Sequence, residues 1–219
     1  MKLEITNRKV WFTSDTHYAH KNICRGVSDW KKINESTGIL EVCAESTRPF
    51  ETLEEMNETI VDNINNTVGE DDILFHIGDW SFGGVERILE FRKQIKCKNI
   101  YLILGNHDHH LEKEKELRGH FTLVRNYLEI TLVWKDNSGN KNTQAFVLFH
   151  YPIRSWNQMN KNVLMIHGHV HTKEEKRFGN GKIMDVGMDG SPEFRPYSLS
   201  EVQELLAERV YAGIDYHAT

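Results

Sequence analysis

The chain has 219 residues, enough for one domain with a sizeable core, and its 39% hydrophobic and 27% charged residues are the balance of an ordinary globular protein. A formal net charge of -5 gives no general attraction to nucleic acid or an anionic membrane, and no apolar run reaches membrane-spanning length. Cys24, Cys43 and Cys97 are odd in number and lack a Cys-x-x-Cys spacing, and Met1 to Trp11 hold no apolar signal-peptide core; a disulfide framework is therefore not expected, and a cytoplasmic setting is.

In chain order, Lys9 to Ser14 predicts a first strand ending at Asp15. Residues 20–50 have weak periodicity and several turn formers, and predict an irregular substrate-side excursion beside that strand's tip. Thr52 to Val68 predicts a helix, with Leu53, Met56, Ile60 and Ile64 on one face and Thr52-x-x-Glu55 as a capping box. A buried strand follows at Asp72 to Ile77. An amphipathic helix spans Val85 to Ile95, with the stem of Arg92 along its face, and a strand spans Asn99 to Leu104. Leu111 to Arg118 predicts a charged helical surface piece. Tyr127 to Trp134 and Thr143 to Phe149 predict strands joined by the turn Asp136 to Asn140. Val163 to Ile166 and Lys182 to Val186 are further strands, and Ser198 to Tyr211 is a closing helix capped by Ser198-x-x-Glu201, with a frayed end beyond it. Strand and helix alternate in the first half and hairpin-like strands dominate the second. That order predicts an α/β fold of two mixed sheets with helices outside, in a single domain over residues 1–219.

Five short runs carry the chemistry: Asp15-Thr16-His17 with His20 behind it, Gly78-Asp79, Gly105-Asn106-His107-Asp108, His150, and Gly168-His169-Val170-His171. Each main run follows an apolar stretch, which places its polar residues at strand ends, where open α/β sheets put their sites. Mixed Asp, Asn and His donors without thiolate suit borderline ions such as zinc, manganese and iron. The seven candidates Asp15, His17, Asp79, Asn106, His150, His169 and His171 exceed what one catalytic ion needs, and suit two ions sharing a carboxylate.

The order Asp-x-His, Gly-Asp, Gly-Asn-His-Asp, His, Gly-His-x-His resembles the calcineurin-like metallophosphoesterase superfamily, over residues 10 to about 190. The resemblance implies a four-layer αββα sandwich. It also implies that Asp15, His17 and His171 hold one divalent transition metal ion, that Asn106, His150 and His169 hold a second, and that Asp79 bridges them. His107 would then be the catalytic group that stabilises or protonates the leaving oxygen. Manganese is the expected metal, with iron, zinc and nickel as the alternatives the resemblance allows.

Departures from family patterns narrow the branch. The run Gly78-Asp79-Trp80-Ser81-Phe82-Gly83-Gly84 lacks the second Asp and the Arg of the protein phosphatases, and Phe82 stands where purple acid phosphatases place an iron-binding Tyr. What remains resembles the small bacterial and phage-type phosphoesterases. No carboxylate partner for His107 is evident. His76 and His167, each just before a motif glycine, are expected in the core or behind the ligands. His20, Arg48 and Tyr151 are expected to contact substrate, with Trp30 and the cations of residues 20–50 as a wall for a phosphate and a base.

The expected function is therefore metal-dependent hydrolysis of a small phosphate ester by a metal-activated hydroxide, preferably a nucleotide-type phosphodiester. Phosphomonoesterase and nuclease are alternatives on the same fold, and the acidic balance disfavours a nucleic-acid partner. No membrane partner is expected. A non-catalytic metal-binding scaffold is the alternative of another class, and the complete ligand set argues against it.

Overall fold

Each short apolar run becomes a buried strand, and the strands sort into two sheets. The computed structural model describes residues 1–136, 138–173 and 177–210. In chain order its elements are β1 (Lys2–Glu4), β2 (Val10–Thr13), β3 (Lys31–Ile33), β4 (Leu40–Val42), α1 (Leu53–Thr67), β5 (Ile73–His76), α2 (Val85–Gln94), β6 (Asn99–Ile103), α3 (His109–Lys113), β7 (Leu123–Arg125), β8 (Tyr127–Lys135), β9 (Lys141–Phe149), β10 (Leu164–His167), β11 (Ile183–Asp185), β12 (Tyr197–Ser198) and α4 (Leu199–Ala207).

One five-stranded sheet has the order β12-β2-β5-β6-β7 and is parallel except at β12. The other has the order β1-β8-β9-β10-β11, in which β8 and β9 form the antiparallel pair. Alternation along β2 sends Val10 and Phe12 to the other sheet and Trp11 to the helices, so the strand is buried on both faces. Between the sheets, Phe12, Ile73 and Phe75 meet Ile130, Phe146, Leu148 and Ile166, and α4 closes this core with Val202 and Leu206. On the first sheet's outer face, α1 brings Met56, Ile60 and Ile64, and α2 brings Ile88 and Phe91. Each side chain fully buried in this way contributes about 1.5–3 kcal/mol.

The result is the expected sandwich of two mixed sheets flanked by helices. On the second sheet's outer face the cover is Trp156 and the 3-10 turn Met159–Lys161, packed on Val147, Met165 and Ile183. The fourth layer is thus thin among the described residues. No helix among them is long and apolar enough to cross a membrane.

Local expectations differ from the structure at four places. Thr52 caps α1 by accepting from the Glu55 N–H, but the Glu55 carboxylate takes the Glu51 N–H, so the reciprocal bond of a capping box is not made there. The Leu111 to Arg118 piece divides into α3 and a 3-10 turn, Lys115–His120. Its buried residues, Leu111 and Leu117, cannot share one helical face at that spacing. Residues 20–50 contain three 3-10 turns around the β3–β4 hairpin. Helix α4 has the full capping box but ends at Ala207; Tyr211 and the expected frayed end lie outside the described residues, as does Asn137 of the predicted turn.

Candidate metal centre

The loops that follow β2, β5, β6, β9 and β10 meet on one rim of the sandwich. They are laced together by backbone bonds: Asp15 N–H to Gly78 O at 2.9 Å, His17 N–H to Asp79 O at 3.0 Å, and Gly168 N–H to His150 O at 3.0 Å. Five of the seven ligand candidates, Asp15, His17, Asp79, His169 and His171, have left-handed φ between 47° and 72°. Such backbone costs on the order of 1–3 kcal/mol at a non-glycine residue, and persists only where its surroundings enforce it.

Two motif glycines admit ligands from other motifs. A Cβ on Gly105 would lie 2.2 Å from Asp79 Oδ1, and one on Gly168 would lie 2.3 Å from Asp15 Oδ2. The bare backbone lets the His169 N–H donate to Asp15 Oδ2 at 2.9 Å, while the His107 N–H donates to Asp79 Oδ1 at 2.9 Å.

These constraints collect donor atoms into two clusters. In one, the Nε2 atoms of His17 and His171 are 3.1 Å apart, and lie 3.8 and 3.6 Å from Asp15 Oδ1. In the other, His150 Nε2 lies 3.4 Å from Asp79 Oδ2 and 3.1 Å from Asn106 Oδ1, which is itself 2.9 Å from His169 Nδ1. Asp79 Oδ2 also lies 3.5 Å from His17 Nε2, which puts this carboxylate between the clusters. Asp15, His17 and His171, and likewise Asp15, Asp79 and His150, are grouped tightly enough to hold an ion.

The spacing and chemistry fit divalent metal. Two donors each about 2.1 Å from a shared ion stand about 3.0–3.4 Å apart, close to these separations. The imidazoles are presented in the ligating sense. His150 Nδ1 is 2.7 Å from the Ile77 carbonyl oxygen and His171 Nδ1 is 2.8 Å from Asp189 Oδ2, so both hold a proton on Nδ1 and present Nε2 to the carboxylates.

Burial and the neighbouring charges displace the ionisation of the ligand candidates in opposite directions. Burial pushes the Asp15 carboxyl up to about 7. Burial also opposes ionisation of Asp79, but the bond to His150 and the fields of His150 and His17 hold it well below the usual carboxylate range. Burial disfavours charge on His150, yet the Asp79 bond and the Asp15 field raise it to about 9. His17 is depressed by burial and by His171.

Other sequence-predicted residues fall beside the centre. His107 is half-buried, its ring 5.3 Å from that of His17 and 5.4 Å from Phe82. His20 stacks on Phe82 at 4.0 Å, with Trp30 edge-on at 5.7 Å, and burial with the nearby His107 lowers it to about 4. Tyr151 lies 4.5 Å from the His169 ring. His76 is buried and bonded to Thr16 Oγ1, and His167 is buried against the Gly168 carbonyl, as expected of residues behind the ligands.

Arg48 stands on the wall of the cavity beside the centre, with its guanidinium already committed. It is 2% exposed, and its Nε, Nη1 and Nη2 are all engaged within the protein, with Asp189 and the carbonyls of Thr16 and Asp15. It braces the loop that carries Asp15 and Thr16. Two carboxylates escaped the sequence reading. Asp108 accepts from the N–H groups of Gly105, Asp79 and Trp80, stapling two ligand loops. Asp189 orients His171. Asp108 was visible only as the last letter of a motif, and Asp189 carried no signal at all.

A cavity of about 520 Å³ opens beside the first cluster, lined by His17, His20 and His107 and, from residues 20–50, by Arg25, Trp30 and Thr47.

Paired carboxylate–imidazole clusters on the rim of an αββα sandwich define a metallophosphoesterase framework. The chain belongs to the calcineurin-like phosphoesterase family, whose model matches residues 8–178. It is 28% identical over 204 residues to an uncharacterised protein of Methanocaldococcus jannaschii, covering 91% of this chain and 92% of that protein. It is 24% identical over 216 residues to the gene 66 protein of Mycobacterium phage D29, covering 90% and 95%. The crystal structure of a protein of unknown function from Aquifex aeolicus matches with a TM-score of 0.57 at 22% identity, covering 91% of this chain and 100% of that one, a likeness of fold.

Proposed function

We propose that this protein is a two-metal phosphoesterase acting on small nucleotide-type phosphodiesters. The observation that carries the reading is the pair of donor clusters meeting at Asp79, beside the cavity that His17 and His107 also line. Asp15, His17 and His171 would hold one ion and Asn106, His150 and His169 the other. When bound, such ions neutralise phosphate charge and provide a nucleophile at neutral pH.

The remaining residues suit a nucleotide-type ester. Arg25 and Lys173 on the cavity wall offer charge to a phosphate, while Arg48 is already committed to Asp189 and two carbonyls. The His20–Phe82 stack and Trp30 offer faces and edges to a planar ring, worth about 1–3 kcal/mol per stacked base. His107 lines the cavity and would meet the leaving oxygen.

The test is turnover of metal-free protein reloaded with Mn²⁺, on cyclic nucleotides, dinucleotides, oligonucleotides and monoesters. Hydrolysis of the small diesters, abolished by chelation, is expected. Preference for monoesters would overturn the substrate assignment, and inertness toward the whole panel would overturn the enzymatic one.

A further inference from the structure

Arg48 and Asp189 lie 141 residues apart, and neither belongs to a ligand motif. Their contact is a fork: Arg48 Nε donates to Asp189 Oδ1 at 3.0 Å and Nη2 to Oδ2 at 2.8 Å. The same guanidinium reaches the Thr16 carbonyl at 2.9 Å and the Asp15 carbonyl at 2.6 Å. Asp189 Oδ2 in turn faces His171 Nδ1 at 2.8 Å. One continuous set of contacts therefore runs from the end of the residue 20–50 excursion through Asp189 to the imidazole of His171, with a branch to the backbone of Asp15 and Thr16.

A charge pair removed from water is a weak source of stability, because desolvation offsets most of its attraction. Its yield here is position. The carboxylate fixes the proton of His171 on Nδ1, aims Nε2 at Asp15 and His17, and makes that nitrogen a stronger donor. The other cluster is built differently. His150 is oriented by the neutral carbonyl of Ile77, with no carboxylate behind it. The two halves of the centre are thus unequally supported.

We propose that Asp189, held by Arg48, is a positioning residue for the Asp15–His17–His171 metal site, and that its influence is confined to that site. The inference rests on the two-site reading above and not on turnover.

The test is titration of metal-free full-length protein with Mn²⁺, free ion being followed by electron paramagnetic resonance and stoichiometry by calorimetry. The parent is expected to bind two ions. Asp189→Asn is expected to weaken one by roughly 10–100-fold and leave the other within about twofold. That variant also strands the Arg48 charge, so Arg48→Met/Asp189→Asn is measured beside it. In the double variant, urea stability is expected to recover while the weakened site stays weak. If Asp189→Asn keeps both ions at parental affinity, or if both sites weaken together and return in the double variant, Asp189 only braces the fold and the proposal fails. A parent that binds one ion would sink the two-site reading; the variant would still decide the proposal by whether that ion is weakened.

Discussion

His107 differs from the histidines around it. His17, His150 and His171 point nitrogen at buried carboxylates, whereas the His107 ring packs among His17, His20 and Phe82, and its backbone N–H, not its imidazole, reaches Asp79. Removing its ring should therefore spare metal binding and affect the leaving group. His107→Ala is expected to keep its bound Mn²⁺ and to lose about 10²–10⁴-fold in turnover of a diester with a poor leaving group, and much less with a nitrophenolate. Equal losses on both substrates, measured by steady-state kinetics, would remove the acid role. The ligand candidates were legible because each ends an apolar run, and apolar runs become strands whose ends share a rim. The bracing roles of Arg48, Asp108 and Asp189 were not, because most of their bonds reach 18 to 141 positions along the chain and no local pattern encodes them.

At the scale of elements, α4 shows how a cap can report on pH. Ser198 and Glu201 exchange their reciprocal bonds, and Arg195 forks onto the Glu201 carboxylate at 2.6 and 3.2 Å. The Arg195 bond, against the opposing effect of burial and aided by Ser198, lowers Glu201 to about 2 from its ordinary 4.5. A depressed carboxyl stabilises the fold above its unfolded value and loses that contribution as pH falls through its folded value. Glu201→Gln is therefore expected to cost on the order of 1 kcal/mol near neutrality, discounted for a side chain 35% exposed, with the gap from the parent narrowing below pH 4.5 and closing near pH 2. Urea unfolding across that range checks it, and a pH-independent gap would assign the effect to packing. Long periodic elements were readable in advance. The short strands β1, β3, β4, β7 and β12, of two or three residues, were not; β1 exists only by pairing with β8, far along the chain.

For the whole molecule, the two sheets bring a rim together at the expense of unfavourable backbone and buried carboxylates. Ions that bind only the folded chain should offset this. At a hundredfold excess over its dissociation constant each ion adds about 2.7 kcal/mol, roughly 5–10 °C in midpoint for a chain of this size. Calorimetry with Mn²⁺ and then with chelator checks the gain; an unchanged midpoint would mean that the folded state takes up no ion. The sandwich itself was legible from the change from strand–helix alternation to paired strands. The thin cover on the second sheet was not, because Trp156 and Met159 act as isolated apolar residues in an irregular stretch.

The span of the rim has a consequence for how the molecule is made. Asp15 takes hydrogen bonds from His169, 154 residues later, and His171 takes its orientation from Asp189. During synthesis the strands β2, β5 and β6 can emerge and pair while their terminal carboxylates still lack the imidazoles that face them. No nascent chain shorter than the stretch through Asp189 can present the finished centre. Its assembly is a late event, and metal uptake would mark a chain whose two sheets have already met.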